Sequence, residues 1–257
     1  MMRLKDKAII ITGATSGIGA AIAAAAIREG AQVLVHGINR EEGDATVKSL
    51  GDRATLCIAD LEEDSAPERI AAAAVAAFGK IDGLVNNAAN VSRSNLDQIT
   101  PNDLKRVMQI NLTAPLFLIK ACFTHLQKSK GSVLNIGSVN AYAGESTLLA
   151  YSISKGALQT MTRNLANAHG VDGIRVNQIN PGWVLTERED RDQVAKGLKP
   201  GWHQRLDRSA IPFGQMTTSE QMGESAIYWL SDESKNFTGT VLDLEQFSII
   251  GRNPEKL

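Results

Sequence analysis

Short β-branched runs alternate along the chain with longer runs that are rich in alanine and have a helical spacing. In the first apolar run Ile9, Ile10 and Ile11 are consecutive, which is typical of a strand whose two sheet faces are both covered. Alternation of strands and helices favours a parallel sheet with helices on both faces. Strands are predicted over residues 8–12, 32–35, 54–58, 81–86, 131–136, 174–179 and 240–244, and helices over 20–29, 41–50, 67–78, 101–127, 149–168 and 219–230.

These runs follow one another without a linker. We therefore predict one doubly wound, Rossmann-like α/β domain over residues 1–257, with about seven parallel strands and helices on both faces. Residues 186–214 interrupt the alternation, because they are polar and include an unbroken charged run at 187–192. Two interpretations are open for this segment, a solvated surface helix and a mobile lid over the substrate, since it follows a strand end.

Composition and charge narrow the function classes. A hydrophobic share of 43% with 21% charged residues is ordinary for a soluble globular protein, and a net charge of −1 gives no general attraction to nucleic acid or membranes. The longest apolar stretch, 20–27, is too short to cross a bilayer. Two scattered cysteines, Cys57 and Cys122, and four histidines predict neither a metal site nor a disulfide framework. The first residues lack a signal-peptide pattern, so we expect a cytoplasmic protein.

A glycine-rich turn lies between the first strand and the first helix. Gly13, Gly17 and Gly19 allow a sharp turn and a close approach of phosphate, and the helix behind them offers free N–H groups and a positive dipole end. No Gly-Lys-Ser/Thr follows, which excludes a P-loop, and the spacing differs from G-x-G-x-x-G. The turn predicts a phosphate site, although a turn that only packs has the same pattern.

The turn resembles the T-G-x-x-x-G-x-G signature of the short-chain dehydrogenase/reductase family, and the resemblance continues along almost the whole chain. Six motifs occur in the family's order and at its usual intervals. After the glycine turn they are Asn86-Asn87-Ala88, with Ala89 where glycine is usual, Asn111, Ser138, Tyr151-Ser152-Ile153-Ser154-Lys155, and Arg175-Val176-Asn177 through Asn180-Pro181-Gly182.

The candidate acid/base is Tyr151. Lys155 follows it by four residues in a predicted helix, so the two side chains share one face. A free tyrosine has a pKa of about 10, and we expect the nearby ammonium to lower the pKa of Tyr151. Ser138 follows a predicted strand, and its hydroxyl can bond the substrate oxygen during proton transfer.

The resemblance implies hydride transfer between a nicotinamide and a substrate carbon, with Ser138, Tyr151, Lys155 and Asn111 as catalytic residues. It implies that Lys155 also holds the nicotinamide ribose and that Asn111 supports a proton relay to it. The implied cofactor contacts are Gly13, Thr15, Ser16, Gly17, Ile18, Gly19, Asn39, Arg40, Asp60, Leu61, Asn87, Ala88, Tyr151, Lys155, Pro181, Gly182, Val184 and Thr186. Candidate substrate contacts are Ser138, Asn140, Tyr151 and Trp183, with Tyr142, Trp202 and His203 as further candidate walls.

The cofactor predicted here is NADP, and NAD is not excluded. NAD-binding folds place an acid on the ribose 2′-OH about 20 residues after the glycines. Here Gly37 and Ile38 stand near that position, and Arg40 can meet a 2′-phosphate.

For the function we predict interconversion of a secondary alcohol and a ketone on a small polar substrate such as a sugar, polyol or hydroxy acid. A 3-oxoacyl thioester reductase and a non-catalytic nucleotide-binding sensor are the alternatives. The charged run at 187–192 counts against a thioester reductase. The presence of both Tyr151 and Lys155 counts against a non-catalytic sensor. Family members are commonly tetramers, and we expect a homotetramer. The end of the chain departs from the family's Asp-Gly-Gly turn, and we expect Glu245 or Gln246 to lie near an active site.

Overall fold

The computed structural model describes residues 2–247. Seven strands form one parallel sheet in the order β3-β2-β1-β4-β5-β6-β9, which confirms the predicted doubly wound architecture. The order reverses between β1 and β4, and this switch point is where such folds open a ligand crevice. The strands are β1 Ala8–Ile11, β2 Gln32–Gly37, β3 Ala54–Ile58, β4 Gly83–Asn86, β5 Ser132–Ile136, β6 Arg175–Pro181 and β9 Val241–Leu244, while β7 Val184–Leu185 and β8 Thr217–Thr218 form a separate parallel pair.

The helices cover both faces of the sheet. They are α1 Gly17–Arg28, α2 Arg40–Leu50, α3 Ala66–Phe78, α4 Pro101–Met108, α5 Ala114–Ser129, α6 Asn140–Ala143, α7 Leu149–His169, α8 Glu187–Ala195 and α9 Ser219–Leu230. Two of the differences from the sequence prediction concern the site. The glycine turn itself supplies the first turn of α1, and the predicted helix 101–127 is divided by a π-helical turn, Gln109–Thr113.

Two hydrophobic cores lie on opposite faces of the sheet because side chains alternate along a strand. Ile9 and Ile11 of β1 pack in the core beneath α1 and α9, whereas Ile10 packs in the core beneath α3 and α5. Both sheet faces are therefore apolar, which explains the three consecutive isoleucines.

Among the described residues, one helical run, Pro101–Ser129, is long and apolar enough by composition to cross a membrane. The sequence prediction considered only the unbroken stretch 20–27 and missed this run. Leu118, Cys122 and Leu126 pack in the core under the sheet, as the side chains of a core helix do.

Candidate active site

The glycine turn has the geometry of a cradle for a dinucleotide phosphate. Gly13 and Gly17 have φ values of +60° and +53°, a region that L side chains rarely adopt. A Cβ on Gly19 would overlap the carbonyl oxygen of Gly13. Ser16 caps α1 without a side-chain bond to the helix, and the first N–H groups of a helix have no intrahelical partner. The turn thus presents backbone donors with no side chain in the way, and these residues fit the predicted cofactor.

His36, which the sequence reasoning missed, holds this turn in place. It is 1% exposed, its Nδ1 accepts from Gly13 N at 3.2 Å, and its Nε2 donates to the Ala59 carbonyl at 3.0 Å. Burial lowers the pKa of His36, and the two bonds fix the neutral ring in one tautomer. A lone histidine in a strand gives no signal of this role without its three-dimensional neighbours.

The end of β2 lies beside the glycine turn and lacks an acid. A Cβ on Gly37 would stand 2.5 Å from Thr15 Cγ2, and the Ile38 side chain is 72% exposed. Asn39 accepts from Glu42 N at 3.2 Å as the N-cap of α2, and Arg40 is exposed, with Asp44 at 3.9 Å. Asp60, which follows β3, accepts from Glu62 N at 2.9 Å, and Leu61 beside it is buried. Asp60 therefore stabilises the turn that follows β3.

Asn87 and Ala88 tie the end of β4 to the glycine turn. The amide of Asn87 donates to the carbonyls of Thr12 at 2.9 Å and Gly13 at 3.0 Å. The backbone N–H of Ala88 donates to Thr12 Oγ1 at 3.1 Å. These contacts support the turn, and Asn87 also lines the adjoining cleft.

Ser138 and Tyr151 are brought together at the carboxyl end of β5. Ser138 is 8% exposed, and its hydroxyl accepts from Asn140 N at 3.1 Å and interacts with the Tyr151 phenol. Burial raises the pKa of Tyr151, and the Ser138 bond lowers it in part. The net direction is opposite to the sequence expectation, since desolvation outweighs the neighbouring groups.

Lys155 lies behind this pair, 2% exposed, with Nζ 5.5 Å from the centroid of the Tyr151 ring. Its ammonium donates to the Ile136 carbonyl at 2.7 Å. Burial lowers the pKa of Lys155 from 10.5 to about 8. No other hydrogen-bond partner of Nζ is present among residues 2–247, so two ammonium protons are available to a ligand.

Asn111 occupies the π-helical turn between α4 and α5. Its amide donates to Asn90 O and to Ser154 Oγ, both at 2.9 Å, and its Oδ1 accepts from Asn90 N at 2.7 Å. The sequence prediction of a special role in the helix thus coincides with a distorted turn, a common feature of functional sites.

A cleft of about 590 Å³ opens above these residues. Eleven residues predicted at the site line it, namely Ile18, Asn87, Ser138, Asn140, Tyr151, Lys155, Pro181, Gly182, Trp183, Val184 and Thr186. Thr186 also meets the glycine turn, because a Cβ on Gly17 would stand 3.6 Å from Thr186 Cγ2. Trp202 does not line the cleft; it is 4% exposed, in a small core with Ile211 and Met216.

The charged run at 187–192 forms α8, which borders the cleft with Arg188, Glu189 and Asp192. Trp183 Nε1 donates to Glu189 at 2.8 Å, and Trp202 Nε1 donates to Asp190 at 2.9 Å. The two indoles stack with centroids 5.4 Å apart. The segment is therefore packed onto the cleft wall through aromatic rings and carboxylates.

The end of the described chain supports the same wall. Glu245 accepts from Trp183 N at 3.1 Å, and a Cβ on Gly182 would overlap its Oε2. Gln246 accepts from Phe213 N at 2.9 Å and donates to Gln215 O at 2.6 Å. Glu245 thus lies behind the loop that lines the cleft, and Gln246 fastens the segment that precedes β8.

Comparison with known proteins gives matches over nearly the whole chain. A family model described as enoyl-(acyl carrier protein) reductase matches residues 13–245. Galactitol 2-dehydrogenase of Agrobacterium fabrum is 32% identical over 239 residues, covering 91% of this chain and 93% of its own. 2-(S)-hydroxypropyl-CoM dehydrogenase 3 of Xanthobacter autotrophicus is 31% identical over 247 residues, covering 95% of this chain and 96% of its own.

A third relative, the NADP-dependent (R)-specific alcohol dehydrogenase of Lentilactobacillus kefiri, is 30% identical over 246 residues, covering 92% of this chain and 94% of its own. Each of these three alignments spans more than nine-tenths of the chain. This chain belongs to the short-chain dehydrogenase/reductase family and is an alcohol-type oxidoreductase that uses NAD(P).

Proposed function

We propose that the enzyme interconverts a secondary alcohol and a ketone on a small polar substrate such as a sugar, polyol or hydroxy acid. The placement of Tyr151 and Ser138 on one cleft, with the buried Lys155 behind them, carries this proposal. In reduction Tyr151 donates its proton to the carbonyl oxygen, and the Ser138 hydroxyl donates to the developing alkoxide. When bound, the nicotinamide supplies or accepts the hydride.

Lys155 and Asn111 complete the assignment. The two available ammonium protons of Lys155 suit the ribose hydroxyls, and their charge favours proton release from Tyr151. Asn111 fixes the loop at Asn90 and the helix at Ser154, the residue before Lys155.

The polarity of the cleft supports a polar substrate. Its outer wall contains Arg93, Glu145, Arg188, Glu189 and Lys196, which hold ionic and hydrogen-bonding groups where an acyl chain would need an apolar slot. The relative named galactitol 2-dehydrogenase agrees with this preference. The wall therefore disfavours the alternative of a thioester reductase.

Absorbance of the reduced nicotinamide tests the proposal, with sugars, polyols and hydroxy acids against a 3-oxoacyl and an enoyl thioester. We expect turnover with the polar group, and a loss of at least about a hundredfold in Tyr151→Phe, because the variant cannot transfer the proton. Tyr228→Phe, on α9 and packed against the core, is the matched control. Turnover with thioesters alone would replace the substrate class, and nucleotide binding without turnover on any substrate would favour the sensor.

We also propose NADP as the preferred cofactor. Ile38 leaves the ribose position without an acid, and Arg40 is exposed with only a distant carboxylate. Arg40→Ala should reduce the preference for NADP over NAD roughly tenfold, as expected for a lost charge-assisted bond. Lys48→Ala, on the same helix, should leave the ratio unchanged. If Arg40→Ala leaves the preference for NADP over NAD unchanged, Arg40 does not contact the 2′-phosphate.

We further propose that residues 186–214 act as a lid. Its helix α8 borders the cleft and is joined to the wall by the bond from Trp183 to Glu189. Hydrogen exchange with and without NADP should show added protection over 186–195. Equal exchange in both states would leave α8 as the solvated surface helix of the first interpretation.

For assembly we propose a homotetramer. Large apolar side chains are exposed at Phe117 on α5, at Ile153 on α7, at Phe237, and at Leu242 on the edge strand β9. Edge strands and exposed apolar patches are commonly covered by a second copy. Light scattering should give four times the chain mass, and a stable monomer would refute the proposal.

A further inference from the structure

A chain of buried amides runs through the sheet beneath Ser138. Asn180 of β6 accepts from the Ser138 backbone N–H at 3.1 Å and donates to Asp243 of β9 at 2.9 Å. Gln178, two residues before Asn180 and thus on the same face of β6, donates to Asn180 Oδ1 at 2.7 Å. Gly137 gives these amides room, since a Cβ there would overlap both of them.

The chain continues across two further strands. Thr162 of α7 donates to Gln178 Oε1 at 2.9 Å and accepts from Asn135 of β5 at 2.8 Å, and Asn135 accepts from Asn86 of β4 at 2.8 Å. Each of these side chains is at most 3% exposed. Burial of this many polar groups is unfavourable unless they bond one another, so their pairing constrains the backbone of four strands.

The partners of Asn180 fix the orientation of its amide, whose Nδ2 also donates to Gln159 Oε1 at 3.2 Å. A backbone N–H can only donate, so Oδ1 of Asn180 faces Ser138, and a carboxylate can only accept, so its Nδ2 faces Asp243. Gln178 then donates toward Asn180, and the Asp243 carboxylate is the acceptor at this end of the chain. The Thr162 hydroxyl lies 2.9 Å from both Gln178 Oε1 and Leu158 O and shares its one proton between them. Aligned bonds polarise one another and stiffen the group they hold.

We propose that Asp243, acting through Asn180, is a positioning residue for Ser138. The carboxylate orients Asn180, and Asn180 fixes the turn that carries the Ser138 hydroxyl to Tyr151. This inference rests on the proposed role of Ser138 in the reaction. Ser138 is a candidate catalytic residue, whereas Asp243 is half-buried behind it and borders a different cavity.

The test compares Asp243→Ala, Asp243→Asn and Ser138→Ala, singly and as the Ser138→Ala/Asp243→Ala double variant. Asp243→Ala should reduce kcat roughly tenfold with little change in KM, because small misplacements of reacting groups slow the chemical step. Asp243→Asn should restore most of that loss, since its Oδ1 still accepts from Asn180. In the Ser138→Ala background Asp243→Ala should have no further effect, the sign of two residues that act as one unit.

The pH profile of alcohol oxidation is a second readout. The Ser138 bond lowers the pKa of Tyr151, so a displaced Ser138 should move the rising limb of the Asp243→Ala profile to higher pH. Asn177→Ala is the matched control: Asn177 is buried in β6 and bonds Phe237 O and Thr240 N, away from Ser138. It should unfold more easily and keep the wild-type profile. If Asp243→Ala does not fold, Asp243→Leu fills the volume without an acceptor.

Three outcomes would overturn the inference: a wild-type kcat in Asp243→Ala, an equal loss in the presence and absence of the Ser138 hydroxyl, or the same profile shift in Asn177→Ala. Failure of the proposed function looks different. In that case Ser138→Ala itself would turn over substrate at the wild-type rate, or the wild-type enzyme would turn over none of the panel.

Discussion

Replacing Lys155 with methionine should stabilise the nucleotide-free protein near neutral pH. The lysine is buried, and its pKa falls from 10.5 to about 8, whereas methionine has a similar length and no charge. The difference of about 2.5 pKa units corresponds to about 3 kcal/mol of destabilisation while the buried group is charged. The enzyme keeps this lysine against its own stability, as expected for a functional residue.

The sign of the pH dependence follows from proton binding. Between about pH 8 and pH 10.5 the unfolded chain holds a proton on Lys155 that the folded protein has released, so wild-type stability rises with pH. The advantage of Lys155→Met should therefore shrink by about 2 kcal/mol between about pH 7 and pH 9.5. Urea unfolding at fixed protein concentration measures it, with the exposed Lys48→Met as control. An advantage that is the same at both pH values would refute the reasoning.

Three further perturbations test the cradle and the wall. Burial lowers the pKa of His36, so the free energy of unfolding should fall as the pH drops below about 6.5, the pKa of histidine in the unfolded chain. Urea unfolding should show a smaller fall in His36→Gln, because glutamine stays neutral. Gly19→Ala, whose Cβ would overlap Gly13 O, should weaken nucleotide binding at least roughly tenfold in a fluorescence titration. Gly170→Ala, whose Cβ would meet only Thr238 Cγ2 at 4.0 Å, should bind nucleotide like the wild type. Gln246→Ala should speed amide exchange over residues 211–217. Unchanged exchange would show that the two bonds of Gln246 do not restrain this segment.

The fold and the central chemistry were predictable because they depend on local periodicity. Consecutive isoleucines indicated a strand covered on both faces, and a spacing of four residues placed Tyr151 and Lys155 on one side of a helix. The loops after strands then supplied Ser138 and the cleft wall, since parallel strands end at the same edge.

The rest depends on neighbours that are distant in sequence. Gln178 and Asn180 read as ordinary polar residues of a strand, and only the packing of four strands and α7 joins them into one chain with Asp243. His36 and the π-helical turn are similar cases. The direction of the Tyr151 pKa was wrong from sequence because the spacing shows a nearby cation but not the extent of burial.

The contact between Gly182 and Glu245 links two positions that lie far apart in the chain. Glu245 occupies the space that any side chain at position 182 would need, so the two sites cannot change independently. Alanine at 182 alone should distort the cleft wall, whereas Gly182→Ala combined with a short residue such as Glu245→Ser leaves room for the new methyl group. Members of the family should therefore vary at these two positions together, and a chain with a side chain at the first should carry a smaller residue at the second.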